Sequence, residues 1–170
     1  ILKIENLIHE KKYKCFIAND NSNGQLVISG RIDHLNKFVD DLKNLRIKNI
    51  TLPVSGPFHC ELMNKATIKM EPEIKKLEFN ISKNTLISNV TANEMKNPEE
   101  IKKLLIKQIE SRVRWRESII YMIKKGVNHF IEIGPGKVLS GLIKRIDKTV
   151  IVDAINSEED INNIKKNDKF

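Results

Sequence analysis

Apolar residues recur along the chain in two rhythms, one helical and one extended. Leu2, Ile4, Leu7 and Ile8 share one face at helical spacing and predict a helix over residues 1–12, already under way at Ile1. Tyr13 to Asn19 reads as a strand, Asp20-Asn21-Ser22-Asn23-Gly24 as a polar turn, and Gln25 to Ser29 as a second strand carrying Leu26, Val27 and Ile28. Leu35, Phe38, Val39 and Leu42 fall at i, i+3, i+4 and i+7 and predict an amphipathic helix, followed by a strand over Ile47 to Val54. From Val54 onward, strands alternate with longer helices. A helix is expected from Phe58 to Leu77, with Leu62, Met63, Ala66, Met70, Ile74 and Leu77 on its core stripe. Thr85 to Val90 is expected as a strand. Asn97-Pro98-Glu99-Glu100 combines an N-cap amide, a proline at N1 and first-turn acids, which starts a helix running to about Glu110. A further helix from Arg112 to Lys125 is closed by Gly126. His129 to Ile133 predicts a strand, Gly134-Pro135-Gly136 a tight turn, Lys137 to Ile146 a helix and Val150 to Ile155 a last strand.

These elements imply an α/β protein in three parts. Residues 1–53 read as a small ferredoxin-like (α+β) domain lacking its first strand, so the chain is expected to be cut inside that domain. Residues 54–156 read as part of a larger α/β layer, and 157–170 as a frayed polar tail. With 40% hydrophobic residues in 170, one or two cores of ordinary size are affordable. The sequence opens at Ile1 without an initiator Met or a signal-peptide pattern, and it has no run of 18 apolar residues, so no membrane association is expected.

Charge changes the picture little. The net +8 comes from 24 Lys against 6 Arg, and Lys, Asn and Ile make up 68 of 170 residues, a bias that suggests an AT-rich genome. Only 5% of residues are aromatic, and none interleave with basic residues as base-stacking platforms do, so no nucleic-acid partner is expected. Two cysteines, Cys15 and Cys60, read as free thiols of a reducing compartment, and no His/Cys spacing suggests a metal site.

The candidate chemistry lies in Leu52-Pro53-Val54-Ser55-Gly56-Pro57-Phe58-His59-Cys60-Glu61-Leu62-Met63. His59 is expected in the first turn of a helix, in line with the core stripe at 62, 63, 66 and 70. A partly shielded imidazole at a strand-to-helix junction suits a general base, and it equally suits a packed histidine bonded to a backbone carbonyl. Gln108 interrupts the stripe of Ile101, Leu104, Leu105 and Ile109, so its amide is expected to meet polar groups at an inner surface, as helix–helix glue or as part of a site. Asn19 to Ser22 forms a third polar cluster that turn chemistry alone can explain. Gly134-Pro135-Gly136-Lys137 is neither a P-loop nor a dinucleotide fingerprint. Cys60 is adjacent to His59 on the chain and is read as a packing residue. Ser29, Ser55 and Ser140 lack the glycines of a G-x-S-x-G elbow, so no nucleophile is identified.

Four segments together resemble the malonyl-CoA:acyl carrier protein transacylase family, in that family's order from Asn19 to Ile146. Asn19 to Gly30 is similar to N-x-N-S-P-G-Q-x-V-I-S-G, with Asn23 where proline is usual. Leu52 to Met63 resembles L-P-V-S-x-P-F-H-C-x-L-M. Val113-Arg114-Trp115 with Ser118 resembles V-x-W-x-x-S, and Phe130 to Ile146 is similar to the family's C-terminal strand–turn–helix. The resemblance implies the C-terminal part of an α/β-hydrolase-like acyltransferase core plus the small domain, acting in fatty acid synthesis by ping-pong transfer of malonyl from CoA to acyl carrier protein through a serine ester. It implies His59 as catalytic base, Gln108 as the residue whose backbone carbonyl orients it, and Asn19 and Asn21 near the acyl-binding cleft. The family's oxyanion strand, its serine elbow and its carboxylate-binding arginine are expected upstream of Ile1, so the chain alone is expected to be inactive. No cofactor is implied, since CoA and phosphopantetheine thioesters are substrates. The expected partners are malonyl-CoA and acyl carrier protein, the latter meeting Arg46 and Lys48 together with Lys37 and Lys43. A monomer is expected for the intact protein, in a plastid (an apicoplast-like organelle) if the source is an AT-rich parasite and in the cytoplasm otherwise. The competing expectations are an acyltransferase module of a polyketide or fatty acid synthase, or a non-catalytic carrier-docking fragment.

Overall fold

In the computed structural model, which describes residues 1–166, two packed clusters are joined through one strand. Helix α1 (Leu2–Glu10) leads into strand β1 (Cys15–Ser22), which pairs antiparallel with β2 (Gln25–Gly30), and helix α2 (Ile32–Asn44) follows. Phe38, Leu42 and Cys15 are buried here, with Ile4, Leu7, Ile8, Tyr13, Ile28, Leu35 and Ile47 packed around them. Tyr13 meets Phe38 edge-on at 5.8 Å between ring centroids. Gly30 is required where β2 ends, because a Cβ there would stand 2.5 Å from the Lys14 carbonyl oxygen.

The second cluster gathers Ile119, Phe130, Ile143 and Val150, with Trp115, Met122, Ile123, Ile146 and Val152 around them. Its elements are α5 (Trp115–Lys124), β5 (His129–Ile133), α6 (Val138–Ile146) and β6 (Ile151–Ile155). Strands β5 and β6 pair in parallel, and α6 supplies the crossover that a parallel pair requires. The α6 N-terminus is closed by Glu132, whose carboxylate accepts from the backbone N–H of Leu139 (3.1 Å) and Ser140 (2.7 Å). The Ser140 hydroxyl and those amides hold Glu132 below its ordinary carboxylate value.

Between the clusters lie α3 (Asn64–Lys76), the two-residue strands β3 (Leu86–Ile87) and β4 (Glu94–Met95), and α4 (Pro98–Gln108). Asn97 caps α4 by accepting from the Glu100 N–H at 2.9 Å, while Glu100 reaches back to the Lys96 N–H at 2.7 Å. The clusters are joined at Val113: its N–H donates to the Ala18 carbonyl (2.8 Å) and its carbonyl accepts from the Asp20 N–H (2.9 Å).

Several expectations change. Ile47 to Val54 forms no strand: among the described residues no ladder partner lies beside it, and Ile50 and Val54 stay exposed at 76% and 61%. Extended backbone becomes a strand only when a neighbour takes its hydrogen bonds. The strand expected over Thr85 to Val90 shrinks to Leu86–Ile87. The helix expected from Phe58 begins as a 3-10 turn, Glu61–Met63, and becomes α-helical at Asn64. Its stripe residues Leu62, Met70 and Leu77 are exposed, and α3 buries no residue. Asp20-Asn21-Ser22 continues β1 instead of turning, so the turn is only Asn23-Gly24, with Gly24 at φ 77°. The expected polar tail contains helix α7 (Glu158–Lys166), whose Ser157 and Asp160 cap each other, and residues 167–170 of that expectation lie outside the described part. No helix among the described residues is long and apolar enough to cross a membrane.

Candidate functional site

His59 stands in the turn between the extended 47–57 segment and the helix at Glu61. It precedes the helix instead of lying in its first turn. Gly56 and Pro57 break the chain direction, and His59 takes a left-handed backbone at φ 60°. A non-glycine residue held there costs about 1–2 kcal/mol, so surrounding contacts must enforce the turn. They do so on three sides. The Ser29 hydroxyl of β2 donates to the Phe58 carbonyl at 2.7 Å. The Cys60 thiol donates to the Pro57 carbonyl at 3.1 Å. The His59 ring meets the backbone carbonyl of Gln108, at the end of α4, with Nδ1 3.1 Å from the oxygen.

That last contact settles which nitrogen carries the proton. A carbonyl only accepts, so Nδ1 donates, and in a neutral ring Nε2 keeps its lone pair. The imidazole is half-buried between two hollows. One, of about 300 Å³, is lined by Phe58, His59, Met63, Leu105, Gln108 and Ile109. The other, of about 720 Å³, opens toward α1 and β1, and Cys15, Cys60, Glu110 and Arg112 are among its walls. The site therefore presents a proton acceptor at the edge of open space. Neither hollow has a serine or threonine in its walls. The two thiols make poor nucleophiles: burial raises Cys60, and burial first, then the charges of Asp33 and Cys60, pushes Cys15 up to about 11. Among the described residues no cluster of His, Cys, Asp or Glu could hold a metal ion.

The other expected site residues are distributed unevenly. Gln108 is brought to His59, but through its main chain, and its half-buried side chain lines the smaller hollow. Asn19 and Asn21 lie half-buried on β1 and line neither hollow. Between them Asp20 is fully buried and held by Arg116, with Nε 3.0 Å from both carboxylate oxygens and Nη2 2.7 Å from Oδ2. Arg46 and Lys48 are exposed beyond α2, Arg46 itself at φ 57°. Lys37 is exposed too, whereas Lys43 is engaged by Asp40 at 3.0 Å.

Sequence reasoning missed Ser29 and the Asp20–Arg116 pair. An acid flanked by two asparagines reads as turn chemistry, and only its place inside a strand signals burial. Ser29 stands in one of the matched segments, but nothing in its neighbourhood along the chain shows that its hydroxyl reaches the turn at Phe58.

No protein-family model matches the chain. It is 40% identical over 152 residues to the "Malonyl CoA-acyl carrier protein transacylase" of Staphylococcus aureus (strain COL), a match covering 89% of this chain and 49% of that protein. Among solved structures, the acyl-carrier-protein-S-malonyltransferase from Bartonella henselae superposes with a TM-score of 0.91 at 36% identity, over 97% of this chain and 54% of that one. A second, described as "type II PKS acyl-carrier protein in complex with its malonyl-transacylase", superposes with a TM-score of 0.92 at 31% identity, over 99% and 55%. The chain thus spans about half the length of the curated relatives it matches.

Proposed function

We propose, from this homology and the setting of His59, that the chain is the C-terminal half of a malonyl-CoA:acyl carrier protein transacylase and supplies its general base. The observation that carries the reading is the Nδ1–Gln108 carbonyl contact, which leaves Nε2 free to take a proton. In this reaction a serine from another stretch of polypeptide gives its proton to Nε2 as Oγ attacks the malonyl thioester. CoA departs as the thiol once His59 returns the proton. The phosphopantetheine thiol of the carrier then attacks the serine ester, yielding its proton to His59 and restoring the hydroxyl. The Gln108 carbonyl fixes the ring's tautomer, the part an aspartate plays in a Ser-His-Asp triad.

The finer architecture belongs to the same proposal. Residues 1–53 are read as a ferredoxin-like small domain and 54–156 as part of a hydrolase-like core. Asn19 and Asn21, half-buried on β1, are read as bordering the acyl cleft. Exposed Arg46 and Lys48 meet the acidic carrier. The thioesters are substrates and no cofactor is needed. The intact protein is a monomer with no nucleic-acid or membrane partner, and it works in a relict plastid of a parasite or in a bacterial cytoplasm.

A malonyl-transfer assay from malonyl-CoA to holo-carrier tests the reading. In the intact protein His59→Ala lowers turnover by about 10²–10⁴-fold, and unchanged turnover sinks the assignment. The 170-residue chain alone shows no transfer above its His59→Ala control; transfer above that control would place the nucleophile within this chain.

A further inference from the structure

We propose that Ser29 is a positioning residue for His59, acting through the peptide bond that sets the histidine's backbone. This rests on the reading of His59 as the base. The Phe58 carbonyl belongs to the same peptide plane as the His59 nitrogen, so the 2.7 Å bond from Ser29 Oγ grips the plane about which φ of His59 is defined. Phe58 itself is exposed at 45%. Ser29 is itself enclosed: it is buried at 9% exposure and paired opposite Phe16 in the β1–β2 ladder. The Cys60 thiol secures the preceding carbonyl, that of Pro57, at 3.1 Å. The left-handed turn is therefore clamped from β2, and the imidazole is aimed from that clamp at the Gln108 carbonyl, 49 residues further along the chain.

Without the clamp the turn relaxes toward ordinary backbone angles, Nδ1 leaves the carbonyl, and the ring samples both neutral tautomers. The share of molecules with a bare Nε2 then falls. A displacement of the order of 1 Å in a catalytic group can reduce rate by about 100-fold.

The test is imidazole ¹⁵N NMR on the 170-residue chain, assigned with a His59→Gln variant, above the pH at which the ring is neutral. The parent chain shows one Nδ1–H tautomer for His59. Ser29→Ala moves both ring nitrogens toward averaged shifts, and Ser29→Thr, which keeps the hydroxyl, restores them. Unchanged His59 shifts in a folded Ser29→Ala chain overturn the proposal, as does a failure of Ser29→Thr to restore them. Should Ser29→Ala not fold, Ser29→Cys retains a weaker donor and gives intermediate shifts, and parent-like shifts in it count against the clamp. In the intact protein, Ser29→Ala lowers kcat 10- to 100-fold with KM within twofold. If His59→Ala leaves turnover intact while the NMR effect of Ser29→Ala is present, the clamp stands and the base assignment fails.

Discussion

Replacing Arg116 by Met strips the buried carboxylate of Asp20 of the guanidinium hydrogen-bonded to it while keeping most of the arginine's apolar stem. Asp20 is fully buried and both of its oxygens accept from the guanidinium, whereas the Arg116 side chain retains 24% of its exposure. The two ends of the pair are therefore unequal. Without Arg116 the carboxyl group is left between β1 and α5 without its hydrogen-bonded cation, and breaking a buried pair in this way costs about 3–5 kcal/mol. Without the charge on Asp20, as in Asp20→Asn, the guanidinium can turn to the water it already touches, and the loss is that of hydrogen bonds to a charged group, about 1.5–3 kcal/mol. The double variant should resemble Asp20→Asn alone, so the coupling energy should approach the whole Arg116→Met cost, about 3–5 kcal/mol. Thermal unfolding followed by far-UV circular dichroism reads this directly. For a chain of this size about 2–4 °C is lost per kcal/mol, so Arg116→Met should melt about 6–20 °C below the parent. The carboxylate also sits where Val113 ties the two clusters together through the Asp20 N–H, so both clusters should melt together in the variant. Costs that add within about 0.5 kcal/mol, or an Arg116→Met loss below about 1 kcal/mol, would refute the buried-pair account.

Three other perturbations test other parts of the fold. Gly30→Ala drives a Cβ to within 2.5 Å of the Lys14 carbonyl oxygen and 2.9 Å of the Cys15 Cα, both backbone atoms, and should destabilise by about 1–3 kcal/mol in denaturant titration; an unchanged midpoint would show that the strand end shifts freely. Glu117, held below its ordinary value by Arg114, and Glu132, held down by the Ser140 hydroxyl, are stabilising when ionised, so their contribution is complete above about 4.5 and is lost as pH falls through their folded values. Melting temperature should accordingly fall on acidification below that point, and Glu132→Gln should flatten the slope. Cys15, raised to about 11, and Cys60, raised by burial, should react with iodoacetamide at pH 8 at least tenfold more slowly than a free cysteine, and rapid labelling in native buffer would contradict their enclosure.

Local chemistry wrote much of this protein plainly. The i, i+3, i+4, i+7 stripe of α2 does bury Phe38 and Leu42, Asn97 does cap α4, and Gly126 stands just past α5 at φ 93°. Each of these is decided within a few residues by helical periodicity or by a single side chain's hydrogen bond. The four motifs from Asn19 to Ile146 likewise pointed to the relatives that the comparisons found. What needed the folded chain was every relation between distant segments. Ile47 to Val54 has the composition of a strand and, among the described residues, no partner to make it one. Asp20 looks like a turn residue until α5 delivers Arg116 to it across 96 positions. The His59 ring finds a main-chain carbonyl rather than the Gln108 amide, and the turn that aims it is held by a serine on β2. Hydrogen-bond pairing and charge burial are properties of two groups at once, and until packing brings the second group near, the first carries no mark of its role.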